Sequence, residues 1–385
     1  MVRGYDVAGD ENCLPVEIFA PALRVLRGAV HNTDGMFGSR IRQPFLTVHA
    51  GEDFSHLLSG LRAIDEAVEF CEFKEGDRIG HALALGLNVS TWAKRQRRTY
   101  LTATEHLDNL VWCYHQAVGL SQIIGEFHGV LALLYSKIQR WSNVVYGQSH
   151  TPRDLYKAWH LRRNCPLRLK ETSSLAGPEG LLWVPDRRWL ESHPVDSAKK
   201  LWDKYLRPVK VKDQGLYVNR VITVTVDSDK NHNMNVLSGE SEWEDRVSPA
   251  ELNLWEAIQD LLIDRYNQRG IVIEACPTSN LYIGRFHHYR EHPVFRWSPP
   301  KTEWLSPGER FNRFGLRNGC IKVCLNTDDS GLMPTTIANE HRIIEMTARE
   351  DYDVGARDAE LWIDQIRQDG VKIFQDSHLQ WVFEN

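Results

Sequence analysis

Four short clusters hold side chains able to do chemistry together: His49-Ala50-Gly51-Glu52, Arg78-Ile79-Gly80-His81, Cys276-Pro277-Thr278-Ser279-Asn280 and Asn326-Thr327-Asp328-Asp329. His49 and Asp328 offer an imidazole nitrogen and a carboxylate oxygen, ordinary ligands for zinc or a similar divalent ion. Such an ion brings the pKa of bound water from roughly 15.7 to about 7 and so supplies a nucleophile at neutral pH. Glu52 follows His49 by three residues and is placed to donate a proton if burial raises its pKa. His81 is placed to accept the water's proton or to stabilise hydroxide. Asp329, beside Asp328, would point elsewhere and hydrogen-bond a substrate. Taken singly each cluster is weak. An H-x-x-E spacing arises by chance, a lone histidine is more often a structural hydrogen-bonding residue, and paired aspartates after a strand usually cap a turn or helix.

Order and context strengthen the set. Each cluster ends a short apolar stretch that reads as a strand, and with the opening YDVAGDE five strands are expected, at 2–7, 45–49, 78–81, 271–276 and 321–326. Helical spacing follows over 57–73, and the first strand precedes an apolar helical segment at 18–30. Parallel α/β folds carry their reactive groups at the C-terminal strand ends, where loops vary while strands fix geometry. Residues 92–249 break the rhythm, which divides the chain into 1–91, a largely helical insertion at 92–249, and 250–385. The insertion opens on the basic run Lys94, Arg95, Arg97 and Arg98, read as a solvated face ahead of a phosphate contact. It continues with two helices over 105–141, a helix start at Thr151-Pro152-Arg153-Asp154, a strand at 215–226 and a polar loop at 227–235.

The 385 residues are 42% hydrophobic and 25% charged, which excludes disordered and collagen-like classes and allows a large barrel with an insertion. A net charge of −5 gives no positive field for a polyanion, so there is no strong nucleic-acid signal. The H-x-E and P-C-x-x-C signature of zinc deaminases that edit polynucleotide bases is absent from the sequence. No apolar run approaches the roughly 20 residues of a membrane span, and no secretion signal opens the chain, so a cytoplasmic protein without a membrane partner is expected. Seven cysteines without a C-x-x-C pair fit reduced, mostly buried thiols.

The ordered segments GYDVAGDE, VHAGED, RIGHAL, ACPTSN and NTDDSG resemble the adenosine deaminase family, a metal-dependent branch of the amidohydrolase-type barrels that includes the AMP deaminases. The resemblance covers 1–91 and 270–345. It implies an α/β fold: strands four to eight of a TIM-type (β/α)8 amidohydrolase-like barrel, with one Zn2+ in each complete site. By motif, His49 and Asp328 resemble metal ligands, Glu52 the acid that protonates N1 of the purine, and His81 the histidine that orients and deprotonates the attacking water. Asp329 matches the aspartate that hydrogen-bonds N7, and Gly9 the glycine whose amide meets N3. The implied reaction is hydrolytic replacement of the amino group at C6 of adenine, with loss of ammonia. Adenosine, AMP, ATP and an adenine within RNA all remain open as substrates.

Three departures from the family pattern shape the expectation. The family's H-x-H pair, two alternate strand residues sharing one face, is absent from this sequence. His287, His288 and His292 read as a loop rather than as substitute ligands. Three strands are also absent, so the barrel is expected to close only with an N-terminal portion of the same protein or a split partner, since open edges are aggregation-prone. The third departure is the long interval between His81 and Cys276, which marks the insertion. Ala82 and Ser330, where the family usually has glycine and often has proline, flank key residues without removing them. The insertion resembles that of the deaminase subunit of the RADAR phage-defence system, which implies a shell-like homo-oligomer and an ATPase partner. In that reading Trp92, Trp112, Trp141, Trp159, Trp183, Trp189, Trp202 and Trp243 form an assembly surface; in the plainer one they pack the insertion's own core. The rival to an enzyme is a non-catalytic assembly or nucleotide-sensing subunit that keeps the deaminase fold.

Overall fold

The computed structural model describes residues 3–29, 43–164, 196–206, 219–226, 243–283 and 286–383. In chain order its main elements are β1 (Gly4–Val7), α1 (Val16–Ala29), β2 (Phe45–Ala50), α2 (Leu57–Phe70), β3 (Arg78–His81) and α3 (Val89–Arg95). There follow β4 (Arg98–Thr102), α4 (Ala103–Ile123), α5 (His128–Tyr146), α6 (Pro152–Leu161), α7 (Asp196–Leu206), β5 (Val221–Val226) and β6 (Glu244–Val247). The chain ends with α8 (Pro249–Gln268), β7 (Val272–Ala275), α9 (Pro277–Tyr282), α10 (Val294–Trp297), β8 (Lys322–Leu325), α11 (Ile337–Asp351) and α12 (Ala356–Phe383). The described residues form two compact units, one from 1–54, 63–87 and 259–385, the other from 55–62 and 88–258.

In the first unit five parallel strands pair in the order β1-β2-β3-β7-β8. These are the five strands expected from the apolar runs, each within two residues of its expected bounds. The register sets His49 opposite Gly80 and Ala50 opposite His81, so two of the clusters end side by side. Glycine at 80 has a steric cause: a Cβ there would lie 3.3 Å from the His49 Cα. Val48, Ile79, Ile273 and Val323 are buried on one face of the sheet, and Ile64 and Val68 of α2, whose apolar spacing the sequence displays, are buried as well.

A buried carboxylate locks the opposite end of this sheet. Asp77, just before β3, accepts from the Leu46 amide at 2.8 Å and the Lys74 amide at 2.7 Å, and pairs with Arg27 of α1 at 2.7 Å. Both charged side chains are buried, so removing one strands the other out of water. Asp77→Ala is expected to cost about 3–5 kcal/mol of stability, read from urea midpoints. A loss below about 1 kcal/mol would show that Arg27 finds another partner.

The second unit has a mixed sheet in the order β4-β5-β6, antiparallel at the first pair and parallel at the second. The largely helical reading of this region, with one strand at 215–226, omits β4, which begins at Arg98, the last residue of the basic run. It is five residues long, and only Thr99 and Leu101 of its alternating pattern are buried. The two helices expected over 105–141 are α4 and α5, and Thr151 caps α6 as its sequence predicts, accepting from the Asp154 amide at 3.1 Å. Trp92, Trp112, Trp141, Trp159 and Trp202 are buried in this unit's own interior, which removes them from any assembly surface of the single chain. Trp183, Trp189, Cys165 and the 227–235 loop lie outside the described residues. Lys94, Arg95, Arg97 and Arg98 are exposed. Of the six described cysteines four are buried: Cys71, Cys113, Cys276 and Cys324. Among the described residues, no helix is long and apolar enough to cross a membrane.

Candidate active site

β2 delivers His49 and, one turn later, Glu52; β3 delivers His81. His49 Nε2 lies 3.3 Å from a Glu52 oxygen, and His81 Nδ1 lies 3.2 Å from the other. The two imidazole rings are 4.6 Å apart. Ligand atoms of His49, Glu52 and His81 fall within 4.8 Å of one another, as do those of Glu11, His49 and Asp53. From β7 and the turn that opens α9, Asn280 Nδ2 reaches Glu52 Oε1 at 2.5 Å and His81 Nδ1 at 2.8 Å. Beside it, Ser279 Oγ donates to Asp328 Oδ2 at 2.6 Å. Hydrogen bonds and close ion contacts thus link all four sequence clusters. Asp328 lies outside both groups of potential ligands, although its charge reaches His81. Asp329 is exposed and accepts from the Gly331 amide at 2.9 Å, within its own turn. Gly9, past the end of β1, has φ +117°, a conformation that L side chains rarely adopt, and a Cβ there would meet nothing within 4 Å.

Backbone strain concentrates here. His81, Ala82 and Asp328 have φ of +65°, +49° and +57°, each in the left-handed region that costs a non-glycine residue about 1–3 kcal/mol. Ala82 therefore holds a conformation that glycine adopts at less cost. Packing that maintains such backbone aims the adjoining side chains, as at many functional sites.

The residues fit a divalent cation. His49 Nε2 is buried without a hydrogen-bond partner, and carboxylate oxygens of Glu52, Asp53 and Glu11 lie 3.3, 3.8 and 3.9 Å away. An imidazole nitrogen ringed by acidic oxygens is a donor set for zinc and its neighbours. Glu11 is committed otherwise. Its carboxylate accepts the Gly51 amide at 2.7 Å, the Glu52 amide at 2.6 Å and the Asp53 amide. It clamps the loop that carries Glu52.

Protonation follows burial and charge. Burial alone would lower the His81 pKa, but the Glu52 hydrogen bond and charge, with Asp328 and Glu274, outweigh it and raise the value. Burial pushes the Cys276 thiol well up, aided by the charges of Glu274, Asp328 and Glu52, so it stays neutral and is no nucleophile.

Sequence reading places Asn280 in a cluster but gives it no role, and it passes over Glu11. Both lie in quoted motifs, ACPTSN and AGDE, yet their partners are set only by the fold. His292, set aside as a ligand, is buried and sits 3.1 Å behind Asn280.

No protein-family model matches the chain. Two proteins named adenosine deaminase, from Shewanella loihica and Shewanella denitrificans, are 28% and 27% identical over 137 residues, or 31% of this chain and 33% of each relative. A protein named adenine deaminase from Sinorhizobium medicae is 30% identical over 101 residues, 26% of this chain and 25% of that protein. The chain therefore spans a quarter to a third of the length of the deaminases it matches.

Proposed function

We propose that this chain carries the acid-base half of a hydrolytic deaminase acting on adenosine or an adenine nucleotide. One observation carries the reading: His49, Glu52 and His81, from adjacent parallel strands, converge within 4.8 Å, and Asn280 and Asp328 are tied to them through the ACPTSN turn. The partial similarity to proteins named adenosine and adenine deaminase supports it. A Zn2+ would be held by His49 and Asp328 and would supply water of lowered pKa. Strands beyond β1 and β8, from an N-terminal portion of the same protein, would close the barrel and complete the ligand set. Glu52 then gives a proton to N1 of the purine as water adds at C6, while His81 orients the water and the ionised Glu52 takes its proton. Glu52 passes that proton to the amino group, the C6–N bond breaks and ammonia leaves, and the C6 hydroxyl proton returns to Glu52 as the carbonyl forms. Asp329 and the Gly9 amide orient the ring through N7 and N3.

The test is ammonia release from adenosine, AMP and ATP by the protein expressed with its native flanking sequence and added Zn2+. Release from one of them, abolished by a chelator, is the expected result. Zinc binding with no ammonia from any adenine compound would overturn the enzymatic reading in favour of a nucleotide-sensing or assembly subunit. The same preparation, sized by mass photometry with and without a co-expressed ATPase, tests the proposed RADAR-like homo-oligomer and partner.

A further inference from the structure

Asn280 is fully buried behind the cluster, and the donors and acceptors around it leave its amide one orientation. The Cys276 amide hydrogen points at Asn280 Oδ1 from 3.3 Å. A backbone N–H only donates, so that atom is the oxygen. On the far side the Val294 amide donates to His292 Nδ1 at 3.1 Å, which places the His292 proton on Nε2. Nε2 lies 3.1 Å from Asn280 Oδ1 and donates to it. Two backbone amides at the ends of the relay thus turn the Asn280 NH2 group toward the catalytic side. Its two hydrogens meet Glu52 Oε1 and His81 Nδ1.

We infer that Asn280, oriented by His292, is a positioning residue that fixes Glu52 and selects the His81 tautomer with its proton on Nε2. An NH2 group facing Nδ1 is compatible with a lone pair there and opposes a hydrogen. It also holds Glu52 by Oε1. The negative charge of Glu52 pulls the other way, toward a hydrogen on Nδ1, and Asn280 decides between the two. Burial pushes the His292 pKa down to about 3, so that ring stays neutral and keeps its Nε2 hydrogen for the relay. The catalytic consequence rests on the deaminase reading above; the tautomer does not.

The two are therefore separable by experiment. Long-range proton–nitrogen NMR of the chain labelled with 15N-histidine, at pH 8, reads which His81 nitrogen bears hydrogen. The His81 signals are identified by their loss in His81→Gln. The expected result is an unprotonated Nδ1 and a protonated Nε2 in the wild type, reversed in Asn280→Asp, which presents acceptors alone in the same volume. A hydrogen on His81 Nδ1 in the wild type, or one tautomer in both proteins, would overturn the inference. If Asn280→Asp does not fold, Asn280→Ala serves, since Glu52 Oε1 then draws the hydrogen to Nδ1. In kinetics on the protein with its native flanks, Asn280→Ala is expected to lower kcat about 10–100-fold with KM within about twofold. His292→Gln, whose amide still donates to Asn280, should recover most of the activity that His292→Leu loses. Equal losses in both, or an effect on KM alone, would count against a relay. Absence of ammonia release in the wild type would sink the deaminase reading and leave the NMR result standing.

Discussion

Glu52→Gln is expected to lower turnover of the adenine substrate by about 10²–10⁴-fold while leaving the fold and the cation affinity in place. The substitution is isosteric, and the glutamine oxygen still accepts from Asn280. What it removes is an acidic hydrogen, because an amide nitrogen cannot deliver a proton to a purine ring nitrogen as water adds. Glu52 is only 1% exposed and sits between two imidazoles, so solvent is a poor substitute donor. Three readouts define the outcome: ammonia release, zinc content after dialysis, and melting temperature. Lost activity with unchanged zinc and melting temperature supports the acid role. Turnover within about tenfold of wild type would contradict it, and lost zinc would make Glu52 a ligand instead.

The sheet was legible because parallel strands buried on one face announce themselves as apolar runs, and their ends as sudden polarity. FLTVHAGED and IKVCLNTDD show both features, and the structure has β2 and β8 there. Tertiary commitments were not legible. Glu11 precedes the loop it clamps by about 40 residues, and nothing in AGDE foretells that its carboxylate will accept three consecutive amides. Asn280 and Glu52 are 228 residues apart, and the orientation of the amide depends on a Cys276 N–H that no pattern reveals. The neighbours Asp328 and Asp329 part company because Asp328 enters the left-handed region, which sends one carboxylate to Ser279 and the other back to its own turn. β4 escaped because Arg98 and Tyr100 face solvent and leave too short an apolar signal.

In the second unit, acid is expected to weaken the fold through His56, at a pH where most carboxylates are still ionised. Its Nδ1 accepts the Leu58 amide at the start of α2, at 3.2 Å, so the proton sits on Nε2, which has no hydrogen-bond partner and faces the edges of Trp92 and Trp255. Burial pushes its pKa down to about 3, with the His106 and Lys137 charges adding to the effect and Asp245 opposing it. An unfolded histidine titrates near 6.5, so below that pH the unfolded chain binds a proton that the folded chain refuses. Stability therefore falls as pH drops from about 6.5 toward 3, by about 2 kcal/mol at pH 5 from this residue alone. In the first unit His292 acts in the same sense, but His81, whose pKa is raised, gains stability on protonation and offsets it. His56→Asn keeps an acceptor for the Leu58 amide and removes the titrating ring. The void it leaves beside two indoles lowers stability at every pH, so the informative quantity is the change between pH 7.5 and pH 5. Urea unfolding followed by tryptophan fluorescence should show that change smaller in the variant by about 2 kcal/mol. Contributions from other groups of the unit, His150 among them, cancel in the comparison. The same loss in both proteins would mean that His56 is protonated within the folded unit, and that the indole cage admits the charge.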